Sequence, residues 1–287
     1  VMRLVFRLRE DIEAKINRLP LSHFDRGQRG DLLSRTTNDV DNVQQALQQA
    51  FASLVYSALT VIGIVGTGAI GGFYGLMLAR AGHDVHFLLR SEYRAVAERG
   101  LQLNSAVHGE LALQPVQAWH CVADMPKCDW LLVGAKTTSN AELAPLIARL
   151  AAANARVVLL QNGLGVEDRL RPLLPDSLHL LGGLCFICVH RSAPGVIEHQ
   201  ALGAVNLGYH SGPPELDEAQ AIVEEGAELF RSAGIESVAM ADLQQARWQK
   251  LVWNVPYNGL SVLLNAGTRR LMDSVDSRAL ILELMCE

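Results

Sequence analysis

From residue 62 onward, short apolar runs bounded by glycine and polar turns alternate with longer stretches whose apolar residues recur at helical spacing. That alternation is the signature of a parallel sheet with helical crossovers. Thr60 to Val65, Asp84 to Leu89, Asp129 to Ala135 and Arg156 to Leu160 read as strands; Phe73 to Ala81, Ser91 to Arg99 and Asn140 to Ala151 read as the helices among them. Leu101 to Asn104 and Leu111 to Ala118 read as strands joined by a turn at His108-Gly109. Leu180 to Val189, Val196 to His199 and Val205 to Tyr209 read as further strands. Ser211-Gly212-Pro213-Pro214 is the best linker candidate, and the pattern turns helical after it. Glu215 to Ala233 is amphipathic, Ile235 to Ala239 is strand-like, and Asp242 to Asn265 reads as one long helix capped by Asp242. The first sixty residues differ. Leu4 to Leu19 places Leu4, Leu8, Ile12 and Ile16 at i, i+4 spacing, Pro20 stops that helix, and a longer one capped by Asn38 or Asp39 reaches Leu59.

The first strand runs into Gly66-Thr67-Gly68-Ala69-Ile70-Gly71. In the order strand, glycine turn, helix, G-x-G-x-x-G carries a meaning that it lacks alone. Gly66 allows the sharp turn, Gly68 lets backbone approach a pyrophosphate, and Gly71 lets helix and strand pack closely. The helix N-terminus offers free N–H groups to phosphate. The bland alternative is a tight turn with no ligand. The second strand ends at Arg90, where enzymes using the unphosphorylated cofactor usually carry an acid for the ribose 2′-OH. Arginine suits a 2′-phosphate, so NADP(H) is favoured over NAD(H). The expected fold class is therefore α/β: a Rossmann-type doubly wound sheet at 62–210, a helical domain at 215–287 and a helical extension at 1–60.

Composition bounds the partners. The chain has 287 residues, 49% hydrophobic and 19% charged, with net charge −5. That is a globular composition with no electrostatic case for nucleic acid. Five cysteines, an odd number, suit a reducing, cytoplasmic setting. Cys185 and Cys188 fall in a strand-like run, where residues three apart face opposite ways; this argues against a metal or redox pair and for buried thiols. No charged residue occurs between Asp41 and Arg80. The glycine turn interrupts that window, which favours a semi-polar helix followed by a buried strand and helix over a membrane span.

Ligands in open parallel sheets bind at the carboxyl ends of strands. Gly66 to Gly71, Arg90, Lys136 and Asn162 should therefore share one crevice, although Lys136 alone would pass for a surface lysine and Asn162-Gly163 for a turn. On the long apolar helix, Lys250, Asn254 and Asn258 fall at i, i+4 and i+8, with Ser261 at i+11. These four lie within roughly one 80° sector. Such a stripe on an otherwise buried helix needs partners, and a ligand with a carboxylate and a carbonyl would supply them; a stripe facing water or another helix is the alternative. Pro256 should kink the axis.

Residues 62–287 resemble the ketopantoate reductase (2-dehydropantoate 2-reductase) family. The resemblance rests on Gly66-Thr67-Gly68-Ala69-Ile70-Gly71-Gly72, Gly134-Ala135-Lys136-Thr137-Thr138, Gln161-Asn162-Gly163-Leu164-Gly165 and Trp248-Gln249-Lys250-Leu251-Val252-Trp253-Asn254. It implies NADPH-dependent reduction of a 2-oxo acid. It assigns Lys250 as the catalytic lysine, and Asn162, Asn254, Asn258 and Lys136 to the substrate. It puts the cofactor against Gly66, Thr67, Gly68, Ala69, Ile70, Gly71 and Arg90, with Lys136 and Asn162 beside it. The family continues past the equivalent of Glu287 with helices that supply a serine and a glutamate, so the expected substrate domain is incomplete. Another 2-oxo acid reductase, a non-catalytic NADP(H)-binding chain or a membrane-associated chimeric fragment are the alternatives, and a homodimer is left open. Leu19-Pro20-Leu21-Ser22-His23-Phe24-Asp25, Gly30-Asp31-Leu32-Leu33-Ser34-Arg35 and Thr37-Asn38-Asp39-Val40-Asp41 resemble an ATP-binding cassette exporter around its first coupling helix. The two resemblances meet near Val61 to Ile64, as in a fusion. Any membrane contact is expected only through residues 1–60, and a native amphipathic arm is the alternative.

Overall fold

The computed structural model describes residues 60–213 and 216–286, and before them only residues 10, 11, 14, 15 and 42, which are helical and exposed. The other positions within residues 1–59, where the two long helices and the exporter-like motifs are expected, lie outside the described residues. The chain divides into two compact units, Val1–Leu59 and Thr60–Glu287.

In the second unit, β1 (Val61–Val65), β2 (Asp84–Leu88), β5 (Gln117–Trp119), β6 (Cys128–Val133), β7 (Ala151–Leu159) and the start of β8 (His179–Ala193) form a parallel sheet in the order β5-β2-β1-β6-β7-β8. This is the doubly wound order, whose direction reverses beside β1. Strands of such a sheet are covered on both faces and so are nearly continuously apolar. Successive residues go to opposite cores. Ile62, Ile64, Trp130, Leu132 and Val158 join one; Val65, Leu131, Val133, Val157 and Leu159 join the other. The first core is completed by α1 (Ala69–Arg80) and α5 (Leu216–Ser232), the second by α3 (Asn140–Leu150) and the short α4 (Val166–Leu170).

Beyond β8 the sheet continues antiparallel into β9 (Val196–Ser211), then β3 (Leu101–Ser105) and β4 (Gly109–Leu113), with the two-residue β10 (Ala239–Met240) also on β9. Two expectations change here. Val196 to His199 and Val205 to Tyr209 are parts of the single strand β9, which crosses Leu202 and Gly203 at positive φ with irregular pairing to β8. The expected strand Leu111 to Ala118 is two strands, because Pro115 has no N–H to give a ladder. Those two strands, β4 and β5, stand at opposite ends of the strand order, yet only residues 114–116 join them. Four Cα steps span at most about 15 Å. The sheet therefore curls until its ends nearly meet, and α1 lies against β1, β2, β3, β4, β8 and β9. The helix begins at Ala69, a turn earlier than the apolar pattern suggested, and α2 (Tyr93–Arg99) begins two residues later than Ser91.

The long helix appears as α6 (Leu243–Leu263), capped as expected by Asp242, whose side chain accepts from Gln245 N at 2.9 Å. It is not otherwise buried, contrary to expectation. Leu243 and Ala246 pack on Leu184 of the sheet, and Tyr257 and Leu260 form a small cluster with Leu271 of α7 (Thr268–Asp273) and Ile281 of α8 (Val275–Cys286). Trp248, Val252, Trp253, Val255, Val262 and Leu263 face outward. The thiol expectation also divides: Cys188 is exposed, on the opposite face from Cys185. No helix among the described residues is long and apolar enough to cross a membrane.

A tight joint lies at the first crossover. A Cβ at Gly71 would lie 2.5 Å from the Gly66 carbonyl oxygen, a backbone atom that cannot swing aside. Gly71→Ala is expected to destabilise the protein by about 1–3 kcal/mol through overpacking, measurable by urea unfolding.

Candidate active site

Gly66 turns the chain at φ +90, a left-handed conformation, and a Cβ there would lie 2.5 Å from the Ala135 backbone nitrogen. The end of β6 thus presses on the glycine turn; at Gly134 a Cβ would sit 2.8 Å from Gly71 N. Thr67 Oγ1 donates to the Leu88 carbonyl at 3.1 Å and ties the same turn to the end of β2. Gly68 differs from its neighbours. A Cβ there would meet nothing within 4 Å, and its φ is −91. Neither packing nor backbone strain within the protein requires glycine at this position, and the space above it is open. That open space suits a phosphate-bearing ligand approaching the first turn of α1. Ala69 and Ile70 open that turn.

Arg90 follows β2, exposed, with Nη2 4.0 Å from Glu142 Oε2 near the start of α3. Glu92, the nearest acid in sequence, is buried, bonded to Gly195 N at 3.2 Å and ion-paired with Arg191. It is committed to the fold and unavailable for a ribose. Lys136 and Asn162 stand exposed just past β6 and β7. The residue between them in the packing is Gln161, which is buried. Its Nε2 donates to the Ala135 carbonyl at 2.7 Å and to Asn140 Oδ1 at 2.7 Å, and its Oε1 accepts from Asn140 Nδ2 at 3.0 Å. The two loops that carry Lys136 and Asn162 are therefore locked together by amides.

The backbone carbonyl of Gln161 accepts from Arg247 Nη1 of α6 at 2.6 Å, and Arg247 Nη2 pairs with Glu167 of α4. Both side chains of the ion pair are 4% exposed. One turn on, Lys250 Nζ donates to the Cys185 carbonyl at 2.7 Å and lies 5.1 Å from the centre of the Phe186 ring. Burial lowers the Lys250 pKa from its ordinary 10.5; the Cys185 thiol opposes that shift and Arg247 adds to it. The same burial pushes the Cys185 thiol up to about 11. Contacts thus run without a break from the glycine turn through Ala135, Gln161 and Arg247 to the helix of Lys250. Farther along, Asn254 and Ser261 are half-buried and Asn258 is exposed, and none of the three has a side-chain hydrogen bond among the described residues. Beyond Lys250 the polar stripe stays unpaired among the described residues, while apolar residues of the same helix meet solvent.

The comparisons with known proteins agree with this geometry. The family model of ketopantoate reductase PanE/ApbA matches residues 62–212, and that of its C-terminal region matches 242–287. The chain belongs to the ketopantoate reductase family. It is 45% identical over 228 residues to the 2-dehydropantoate 2-reductase of Nostoc sp. strain PCC 7120, across 78% of this chain and 70% of the relative. The crystal structure of 2-dehydropantoate 2-reductase from Geobacter metallireducens GS-15 superposes with a TM-score of 0.72 at 37% identity, covering 79% of this chain and 73% of that one. A model of the ABC transporter transmembrane region matches residues 1–79. Over 65 residues the chain is 51% identical to the fatty acid ABC transporter ATP-binding/permease protein of Mycobacterium bovis, across only 10% of that protein.

Within the reductase frame, the sequence reading misses Gln161, Asn140, Glu167 and Arg247 as site residues. Arg247 is nevertheless signalled by its place, three residues before Lys250 in the same helix. Glu167→Ala would leave a buried guanidinium unpaired, and is expected to cost about 3–5 kcal/mol in a urea-unfolding measurement.

Proposed function

We propose that the chain reduces 2-dehydropantoate to pantoate with NADPH. The observation that carries this reading is Lys250: a half-buried ammonium at the sheet's carboxyl side, joined by continuous contacts to the glycine turn. When bound, NADPH supplies the hydride to the ketone carbon. The first turn of α1, with Gly66, Thr67, Gly68, Ala69, Ile70 and Gly71, holds the pyrophosphate, and the open space above Gly68 supports that role. Arg90 grips the 2′-phosphate. Its contact with Glu142 is a long, exposed pair worth little, so a phosphate dianion competes with it readily.

Negative charge develops on the ketone oxygen as hydride arrives. Lys250 stabilises that charge and then donates its proton to the oxygen. Its hydrogen bond to the Cys185 carbonyl holds the ammonium in place without neutralising it. Asn254 and Asn258 orient the carboxylate and hydroxyl ends of the substrate, and Asn162 and Lys136 complete the polar lining beside the cofactor. All five cysteines are free, which supports a reducing, cytoplasmic setting.

The primary test is NADPH oxidation by the purified chain with 2-dehydropantoate, with NADH as control. Turnover that prefers NADPH is expected; no turnover in folded protein would overturn the proposal. Lys250→Ala is expected to lower kcat by ~10²–10³. Because burial lowers the Lys250 pKa, the acid form is lost earlier than for a free lysine. The rate should hold on the acid side and fall with rising pH through a midpoint below 10.5. Gly68→Ala is expected to weaken NADPH binding with unchanged thermal stability, unlike Gly71→Ala. Arg90→Ala should weaken NADPH while leaving NADH unaffected; equal weakening in titrations of the two would remove the 2′-phosphate assignment.

A further inference from the structure

We infer that the Arg247–Glu167 pair is a positioning device for the reaction, setting the helix of Lys250 at a fixed distance from the strand ends that carry Lys136 and Asn162. The inference rests on the reading of Lys250 as proton donor.

The geometry is specific. One nitrogen of the guanidinium holds the backbone carbonyl of Gln161, the residue before Asn162, and another holds the Glu167 carboxylate. The Gln161 side chain passes the constraint to Ala135, the residue before Lys136, and to Asn140. Ala135 in turn abuts the dinucleotide turn at Gly66. A displacement of Arg247 would therefore change the spacing of three site residues together.

Docking of α6 does not itself need this pair. Leu243 and Ala246 already pack on Leu184, and Leu243 fills the space above Gly182 and Gly208, where a Cβ would come within 2.8 Å of it. A buried ion pair seldom stabilises more than apolar residues of the same volume. This one also leaves Arg247 Nε without a hydrogen bond. What the pair adds is direction, because a planar fork with two fixed acceptors tolerates little sliding of the helix.

The pair also sets the charge behind Lys250. The groups that face the ammonium are the Cys185 thiol and Phe186 ring on β8 and Arg247 on its own helix, with Tyr74 of α1 behind the thiol and Glu167 of α4 behind the arginine. Arg247 disfavours the charged lysine, and the Glu167 carboxylate paired with it carries the opposite charge. Loss of Glu167 alone should move the alkaline limb of the rate down in pH, and loss of Arg247 alone should move it up. A purely structural pair would give neither shift.

The test compares Glu167→Gln, Arg247→Met and Arg247→Lys in the full chain, with Lys250→Ala as reference. NADPH affinity is read by fluorescence titration, kcat and KM with 2-dehydropantoate, and kcat against pH. The expected result is a loss of about 10²-fold in kcat for Glu167→Gln and Arg247→Met, with NADPH affinity retained and limb shifts of opposite sign. Arg247→Lys keeps the charge but not the fork, so it should lose rate with its limb near that of the parent. Wild-type kcat and an unmoved limb in Glu167→Gln would overturn the inference, and this variant with Arg247→Lys decides the question if Arg247→Met does not fold. An inactive Lys250→Ala beside fully active pair variants refutes the positioning role alone. A fully active Lys250→Ala refutes the proposed mechanism and the positioning role with it.

Discussion

The larger core of the described unit is built around α1, a helix with no charge until its final residue. Gly71 to Leu78 are all buried. A helix apolar on every side must be enclosed, and a flat sheet can cover only one side of it. The sheet therefore extends beyond its parallel half into β9, β3 and β4 and curls over the helix. Burying a Phe, Leu or Met side chain contributes ~1.5–3 kcal/mol, and α1 buries Phe73, Leu76, Met77 and Leu78 in succession. The same helix brings its N-terminal turn to the one place where strand order reverses. Core packing and the cofactor turn are thus consequences of one element.

Much of this could be read from the chain because the signals are local. The strand, glycine turn and helix at 61–80 are contiguous, and the apolar runs of β6 and β7 carry the mark of strands covered on both faces. The Asp242 cap needed only the adjacent turn. Failures occurred where distant parts decide. Nothing near Leu202 announces that β9 runs through a positive φ without stopping, because pairing with β8 carries it across. Leu111 to Ala118 looks like one strand until Pro115 is set against the partners of each half, which lie at opposite ends of the strand order.

The site divides in the same way. Residues that meet a ligand had to be polar at strand ends or on one helical stripe, and those positions stand out against apolar surroundings. The residues that hold them do not. Gln161 resembles a turn residue and Glu167 an ordinary acid in a first helical turn, while their partners, Asn140 and Arg247, are far away in sequence. The apolar residues of α6 misled for the opposite reason. Periodicity reports that Val252, Val255 and Val262 share a character, but says nothing of what covers them, and in the described residues they face outward.

The overlap of the two family models has a physical origin in α1. The transporter model runs to residue 79 and the reductase model starts at 62, so both claim β1 and most of α1. A helix enclosed by a sheet and a helix enclosed by lipid need the same uncharged surface, and composition cannot separate them. Length and close contact can. α1 has 12 residues, a rise of about 18 Å, against the ~30 Å of a bilayer core. Gly71 allows no side chain against the Gly66 carbonyl, and Gly75 would place a Cβ 2.5 Å from the Phe87 ring. A lipid surface makes no such demand, whereas a packed strand–turn–helix does. Residues 62–79 therefore belong by their packing to the reductase sheet, although the match to the transporter region extends through them.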